Sequence, residues 1–341
     1  MLTIDGRHGE GGGQVLRSSL TLSMITARPF RIRNIRALRP KPGLRPQHLA
    51  CVMAAAQICN ADVEGAEIGS REIVFRPGRI KPGRYRFSIG TAGSTILLFQ
   101  TIALPLALCS TGSTVRLEGG THVPFSPCFH YLEKVYIPAL RLMGLTMEAR
   151  LMRWGFYPKG GGIMEAAVEA GALKAPFLPS PSGGPKILGL SASARLPEHV
   201  RTRQARSAEA LLRRHGALAS ISMEDAEADS PGSLMFLWTE GKGRFIGASA
   251  LGRLGLPAEE VGKRAARDFI RQFTKRASCD RHLSDQLLIP AALAPGESTW
   301  TTSRITTHFT TNAWVVQRFI ECHIDYAQEA KGLFTIRAGR G

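Results

Sequence analysis

The chain has 341 residues, 44% of them hydrophobic, with 44 Lys and Arg against 27 Asp and Glu for a formal charge of +17. This length and apolar content support a sizeable core and more than one domain-sized unit. The cationic excess points to an anionic partner, whether a nucleic acid, a phosphorylated small molecule or an acidic surface, and carries no sequence specificity, since phosphate contacts position a ligand without reading it.

A short strand at Leu2–Asp5 leads into the Gly-rich turn Gly6–Gly13 and then a helix to about Ile25. A strand at Phe30–Ile35, a basic loop at Arg36–Pro46, a helix at Gln47–Cys59 and strands at Asp62–Ile68 and Glu72–Arg76 follow. The grammar then restarts: strand Tyr85–Ile89, turn Gly90–Ser94, helix Thr95–Cys109, strand Thr114–Glu118, loop Gly119–Pro127, helix Cys128–Met143, and strands Leu145–Leu151 and Gly162–Glu169. Such internal repetition marks duplicated structural units. Pro176–Pro185 is a Pro/Gly/Ser stretch that reads as a hinge. A third unit opens at Ile187–Ser191 and is interrupted from about Pro197 to Asp280, where helices at Arg201–His215 and Pro257–Phe273 accompany strands at Leu218–Met223 and Ser233–Glu240. It resumes with helix Gln286–Leu293, strand Ser298–Thr302, helix Ala313–Ile320 and strands Cys322–Tyr326 and Gly332–Arg337. The expected fold is α/β (α+β): three β-α-β-α-β-β modules, the third carrying an inserted smaller α/β domain. The corresponding division is 1–185, 186–279 and 280–341, with the first strand of the middle segment assignable to either the insertion or the third module.

The six cysteines (Cys51, Cys59, Cys109, Cys128, Cys279, Cys322) form no C-x-x-C pair. That pattern suits reduced, buried thiols rather than a disulfide frame or a zinc site. The stretch MLTIDGRHGEGGGQ has no apolar h-region, and the most apolar run, Ile96–Cys109, is too short to span a bilayer and contains Gln100 and Pro105. A soluble cytoplasmic protein with no membrane association is expected.

Several stretches could carry chemistry. In HGEGGGQVLR, backbone N–H groups of a Gly-rich turn at a helix N-terminus suit an anion; Glu10 could ligate a divalent metal or capture a cationic side chain, and Arg17 lies one turn into the helix. The alternative is a tight turn whose glycines only satisfy geometry. In IRALRPKPGLRPQH, the cations Arg36, Arg39, Lys41, Arg45 and His48 sit in a Pro-stiffened loop suited to forked phosphate recognition, or simply to solvent. Gln100 is an amide on an apolar helix, and Asp285 could be a helix-start carboxylate. His122 and His130 read as structural or surface residues. His308 is one of nine histidines, and residue chemistry alone does not single it out.

Taken in order, GEGGGQVLR, RPKPGLRPQH, GTAGSTILLFQ, GGTHVPFSP, GFYPKGGG, LSASARLPEHVRTRQ, DQLLIPAALA and HFTTN span Asp5 to about Phe319, and the ordered set resembles the RNA 3'-terminal phosphate cyclase family. The resemblance implies three modules like the C-terminal domain of translation initiation factor three, with an α/β insertion in the third. It implies ATP-dependent conversion of an RNA 3'-phosphate to a 2',3'-cyclic phosphodiester, with ATP and a divalent cation (Mg or Mn) required. RNA ends would be bound with little sequence preference and no obligatory protein partner. By the same resemblance His308 is the nucleophile that carries AMP. Gln100, Pro127, His282, Leu283, Ser284, Asp285 and Gln286 are nucleotide-binding, with Pro127 against one face of the adenine. Glu10 is associated with the metal, and Arg17, Arg39 and Gln47 serve the phosphates or the RNA end. Two positions depart from the family pattern: His282 stands where tyrosine is frequent, and His122 where acidic or amide residues are.

Three other readings compete. A catalytically silent cyclase-like protein of ribosomal RNA maturation would lack the histidine that HFTTN retains. An enolpyruvyl-transferase-like enzyme shares a repeated β/α architecture but not the insertion and the ordered motifs. A general RNA-binding module would show an aromatic signature, against an aromatic content of 7%.

Overall fold

Three four-stranded sheets share one connectivity and a fourth departs from it. The computed structural model describes residues 1–178, 184–241 and 243–340. The first module runs β1 (Leu2–Asp5), α1 (Gly13–Thr26), β2 (Phe30–Arg33), α2 (Pro46–Cys59), β3 (Asp62–Glu64) and β4 (Ile73–Arg76). Its sheet order is β1-β2-β4-β3, with a parallel first pair and antiparallel neighbours after it. The second repeats this with β5 (Arg84–Ser88), α3 (Thr95–Ala107), β6 (Ser113–Gly119), β7 (Met147–Arg153) and β8 (Gly162–Val168), ordered β5-β6-β8-β7. Its second helix is α4 (Phe129–Tyr131), a π-helical stretch (Leu132–Tyr136) and α5 (Ile137–Leu142). The widened turn lies just before Pro138, which has no N–H to give the regular ladder.

The third module begins at β9 (Phe177–Leu178) and breaks off. The insertion follows as β10 (Lys186–Ala194), α6 (Glu198–Arg214), β11 (Ala219–Asp225), β12 (Gly232–Glu240), β13 (Gly247–Leu251) and α7 (Ala258–Phe273). The module resumes with α8 (Arg281–Gln286), α9 (Leu288–Leu293), β14 (Glu297–Thr302), α10 (Thr307–Phe319), β15 (His323–Ala330) and β16 (Leu333–Gly339). Its sheet is β15-β16-β14-β9, the same pattern as the first two, whereas the insertion has β11-β10-β12-β13 with its first strand in the interior.

Three sequence-based expectations are corrected here. Ile187–Ser191 does not open the third module: β10 pairs with β11 and β12, and the module's first strand is β9, parallel to β14. β9 is two residues long and follows Pro176, so no period-2 pattern marks it. The last long helix starts at Thr307, six residues before the expected Ala313, because the Thr306 hydroxyl accepts from Phe309 N–H and caps it. The helix-start carboxylate is Asp280, which accepts from His282 N–H and Leu283 N–H, so the helix begins at Arg281 and Asp285 lies inside it. The hinge read at 176–185 falls mainly on residues 179–183, outside the described residues.

Helices pack within and between modules: α1 meets α2 of its own module and α3 and α10 of the other two, and α10 meets α8 and α9 of its own. They share one hydrophobic core with the inner faces of the three module sheets. A separate cluster, including Ala208, Leu212, Val261, Ala265 and Phe269, fills the space between α6, α7 and one face of the insertion's sheet. Leu190, Ala192, Leu234 and Phe236 on its other face join the main core. The helix starts of three modules are thereby brought together, which is where the candidate residues lie.

Candidate active site

The Gly-rich turn is shaped by space as much as by backbone freedom. Gly9 and Gly11 have φ of 62° and 57°, in the left-handed region that side chains disfavour. At Gly12 a Cβ would stand 2.5 Å from Glu10 Oε1 and 2.7 Å from Arg39 Nη2, and at Gly13 it would press into the His48 ring. The turn can therefore lie flat against the basic loop, and it delivers Glu10 and Gln14 to the start of α1.

His308, in the first turn of α10, faces both. Its Nδ1 is 2.7 Å from Gln14 Oε1 and its Nε2 is 3.1 Å from Glu10 Oε2. The same Glu10 oxygen accepts from Arg39 Nη2 at 2.9 Å. Glu10 N–H donates to Thr311 Oγ1 at 3.3 Å, tying the turn to the next turn of α10. The His308 side chain is 49% exposed while that of Glu10 is 12% exposed. Both ring nitrogens are thus held, yet half the ring is open to a ligand. Gln14, buried and not singled out by its sequence, is the side chain in contact with His308 that sequence reasoning misses. The available signal was an amide one residue into a helix that follows a Gly-rich turn.

Arg17 is partly buried one turn below. Desolvation pushes its pKa down, opposed by the neighbouring Cys51, Glu10 and Asp285. Gln47 does not reach His308; its Oε1 accepts from Ser94 N–H at 2.7 Å and so fixes the Gly90–Ser94 turn, whose Ser94 hydroxyl caps α3. The basic loop is only partly a cation cluster. Arg36 donates to the carbonyls of Lys41 and Gly43 and so braces the loop itself. His48 is buried and its pKa falls to about 3, from burial first and then from Arg17, Arg36 and Arg45, so it is neutral rather than cationic.

The segment from 282 to 286 forms most of α8. Leu283, Ser284 and Asp285 are buried, and His282 is exposed. The Ser284 hydroxyl accepts from Trp300 Nε1 at 2.9 Å, and Gln100 Nε2 donates to Gln286 Oε1 at 3.1 Å. Asn312 on α10 donates to Asp285 O and accepts from the Ser18 hydroxyl, joining α8, α10 and α1. Burial, with Asp280 and Glu10 nearby, raises the Asp285 pKa well above the usual carboxylate range, against the pull of Arg17. Pro127 is partly buried in the loop leading to α4, whose Tyr131 hydroxyl donates to Asp280 at 3.0 Å. His122 is structural: its ring stacks on Trp154 with 4.0 Å between centroids, and its Nε2 lies 3.0 Å from His130 Nδ1. Burial holds both imidazoles below their ordinary pKa, His130 at about 4.

The structure therefore gathers Glu10, Gln14, Arg39 and His308 in direct contact, sets Arg17 and Asp285 beside them, and links Gln100 to Gln286. Among the described residues no group of three or more His, Cys, Asp or Glu forms a metal site, and no helix is long and apolar enough to cross a membrane.

Residues 8–326 match the family model described as RNA 3'-terminal phosphate cyclase. Proteins named RNA 3'-terminal phosphate cyclase are similar over nearly the whole chain. The one from Caldivirga maquilingensis is 46% identical over 334 residues, covering 95% of this chain and 94% of its own length. That from Archaeoglobus fulgidus is 44% identical over 320 residues, covering 94% and 96%. That from Pyrococcus abyssi is 42% identical over 321 residues, covering 94% and 93%.

Proposed function

Because the chain belongs to the RNA 3'-terminal phosphate cyclase family, enzymes of the ligase class, we propose that it consumes ATP to close an RNA 3'-phosphate into a 2',3'-cyclic phosphodiester, with His308 carrying AMP. The observation that carries this reading is the half-open His308 ring fixed at both nitrogens by Gln14 and Glu10.

Gln14 Oε1 accepts the Nδ1–H proton, which leaves Nε2 as the attacking atom. Neutral His308, with its one proton on Nδ1, offers the Nε2 lone pair as the nucleophile. Nε2 bonds to the α-phosphorus of ATP while the bond to the bridging oxygen breaks and diphosphate leaves. An oxygen of the RNA 3'-phosphate then takes the AMP, breaking the N–P bond, so that the terminal phosphate becomes an anhydride with a good leaving group. Last, the neighbouring ribose 2'-OH attacks the activated phosphorus and expels AMP, its proton passing to solvent. This step is intramolecular, so proximity supplies much of its rate, and the terminal sugar must be ribose.

Arg17 and Arg39 face the negative charge that each step concentrates at phosphorus. Glu10 is the carboxylate that a nucleotide-borne Mg or Mn ion would meet, and a single carboxylate suits an ion held mainly by phosphates and water. Such an ion supplies neutralisation of phosphate charge. The side chains at Gln100, Pro127 and 282–286 serve the nucleotide, and the +17 charge draws RNA ends without reading sequence.

Incubation with α-labelled ATP and Mg or Mn is expected to give an acid-labile labelled protein, and His308→Ala to abolish it while the fold persists. ATP binding with no adduct in the wild-type protein would favour a silent relative instead.

A further inference from the structure

The insertion touches α8 through a chain of side chains that the reaction itself does not require. Asp268 on α7 grips Arg281 with both oxygens, Oδ1 at 2.8 Å from Nη1 and Oδ2 at 3.0 Å from Nη2. One turn on, Gln272 Oε1 accepts from Arg281 N–H at 2.9 Å. Arg281 then donates from Nε to His282 Nε2 at 3.2 Å. The backbone beneath is clamped as well, because Asp280 accepts from Gly247 N–H of β13 at 3.0 Å and from His282 N–H at 2.8 Å. The first turn of α8 is therefore set by the inserted domain.

A guanidinium has donors only, so the nitrogen it meets on His282 must offer a lone pair. The single proton of that ring then sits on Nδ1. A two-armed carboxylate grip leaves the guanidinium plane little freedom, and its Nε–H direction is fixed with it. His282 and Gln286 are one helical turn apart and share a face of α8.

We propose that Asp268 and Arg281 are positioning residues that hold His282 as the neutral Nδ1–H tautomer, so that it offers the nucleobase an uncharged ring and one N–H donor. The proposal rests on the reading of 282–286 as the nucleotide-facing segment. It gives the insertion a part in nucleotide selection, and it explains how an imidazole serves where an uncharged aromatic ring is wanted. The charged and titratable groups around His282 are Asp280 capping its helix, Arg281 beside it on that helix, Asp268 on α7 and His308 on α10. Protonation of His282 would break the Arg281 bond and set two cations together, so desolvation and Arg281 oppose it, against the pull of Asp280 and Asp268.

Nitrogen NMR of the histidines in the wild-type chain, with His282 assigned by its loss in His282→Gln, tests this without perturbing the site. An Nδ1–H, neutral ring is expected at neutral pH; an Nε2–H ring or an imidazolium would overturn the proposal. In the adduct assay, Asp268→Asn and Arg281→Met are each expected to raise the ATP concentration for half-maximal labelling about tenfold, with the maximal rate little changed. In Arg281→Met that concentration should also rise as pH falls from about 8 to 6. Wild-type values in both variants at all pH would overturn it. Absence of any adduct in the wild-type protein is a separate result, which would sink the proposed reaction and not the tautomer.

Discussion

Gln14 meets His308 at Nδ1, and in the proposed reaction that contact leaves Nε2 as the nitrogen that reacts. An apolar replacement of similar length leaves Nδ1–H without its acceptor and lets the ring turn or shift its proton. Gln14→Leu is expected to slow His308 labelling about ten- to a hundredfold, with thermal unfolding little changed, and Gln14→Glu, which keeps an acceptor, to retain most of the rate. Labelling time courses on the three proteins check this; an unaltered rate in Gln14→Leu would remove Gln14 from the site. This residue also marks a limit of the sequence. Its place one residue into α1 was readable, but its partner lies 294 positions away, and no local pattern reports such a pairing. His282 differs, since its neighbour Arg281 was in plain view and only the approach of Asp268 from α7 gave that pair meaning.

The Gly6–Gly13 turn is the element on which the site geometry turns. Gly12→Ala would drive a methyl to 2.5 Å from Glu10 Oε1, displacing the Glu10–Arg39 pair and with it the contact to His308. A loss of labelling about tenfold or more is expected, read against Gly184→Ala, where a Cβ meets nothing within 4 Å and wild-type labelling should persist. Most elements of the first two modules were legible because apolar periodicity and Gly turns agree there. β9 and β13 were not, the first for its shortness and the second for its small residues, Gly-Ala-Ser-Ala-Leu. The start of α10 was missed because Thr-Thr-His-Phe-Thr-Thr reads as extended by propensity, until the Thr306 cap and the packing of Phe309 override it.

Across the whole molecule, buried neutral histidines weaken stability in acid. His48 and His130 have folded pKa values of about 3 and about 4, below the ordinary 6.5. The unfolded chain therefore binds more protons between those values, and stability present above pH 6.5 is lost progressively as pH falls toward the folded pKa. From pH 6.5 to 5 each should remove up to about 2 kcal/mol. Urea unfolding at pH 7.5 and 5 should show a lower midpoint in acid, with the difference reduced in His130→Gln; an identical difference would mean His130 is not held neutral. The contact between Gln14 and His308 has a consequence for biogenesis. It joins the first helix to the last, so loop closure across nearly the whole chain must precede it. If His308 carries AMP as proposed, modules built early in synthesis cannot trap a nucleotide covalently, because that ring arrives with the final module. Fragments released by stalled translation or by proteolytic nicking should thus be inert toward ATP, and self-labelling doubles as a reporter that the distant ends have met.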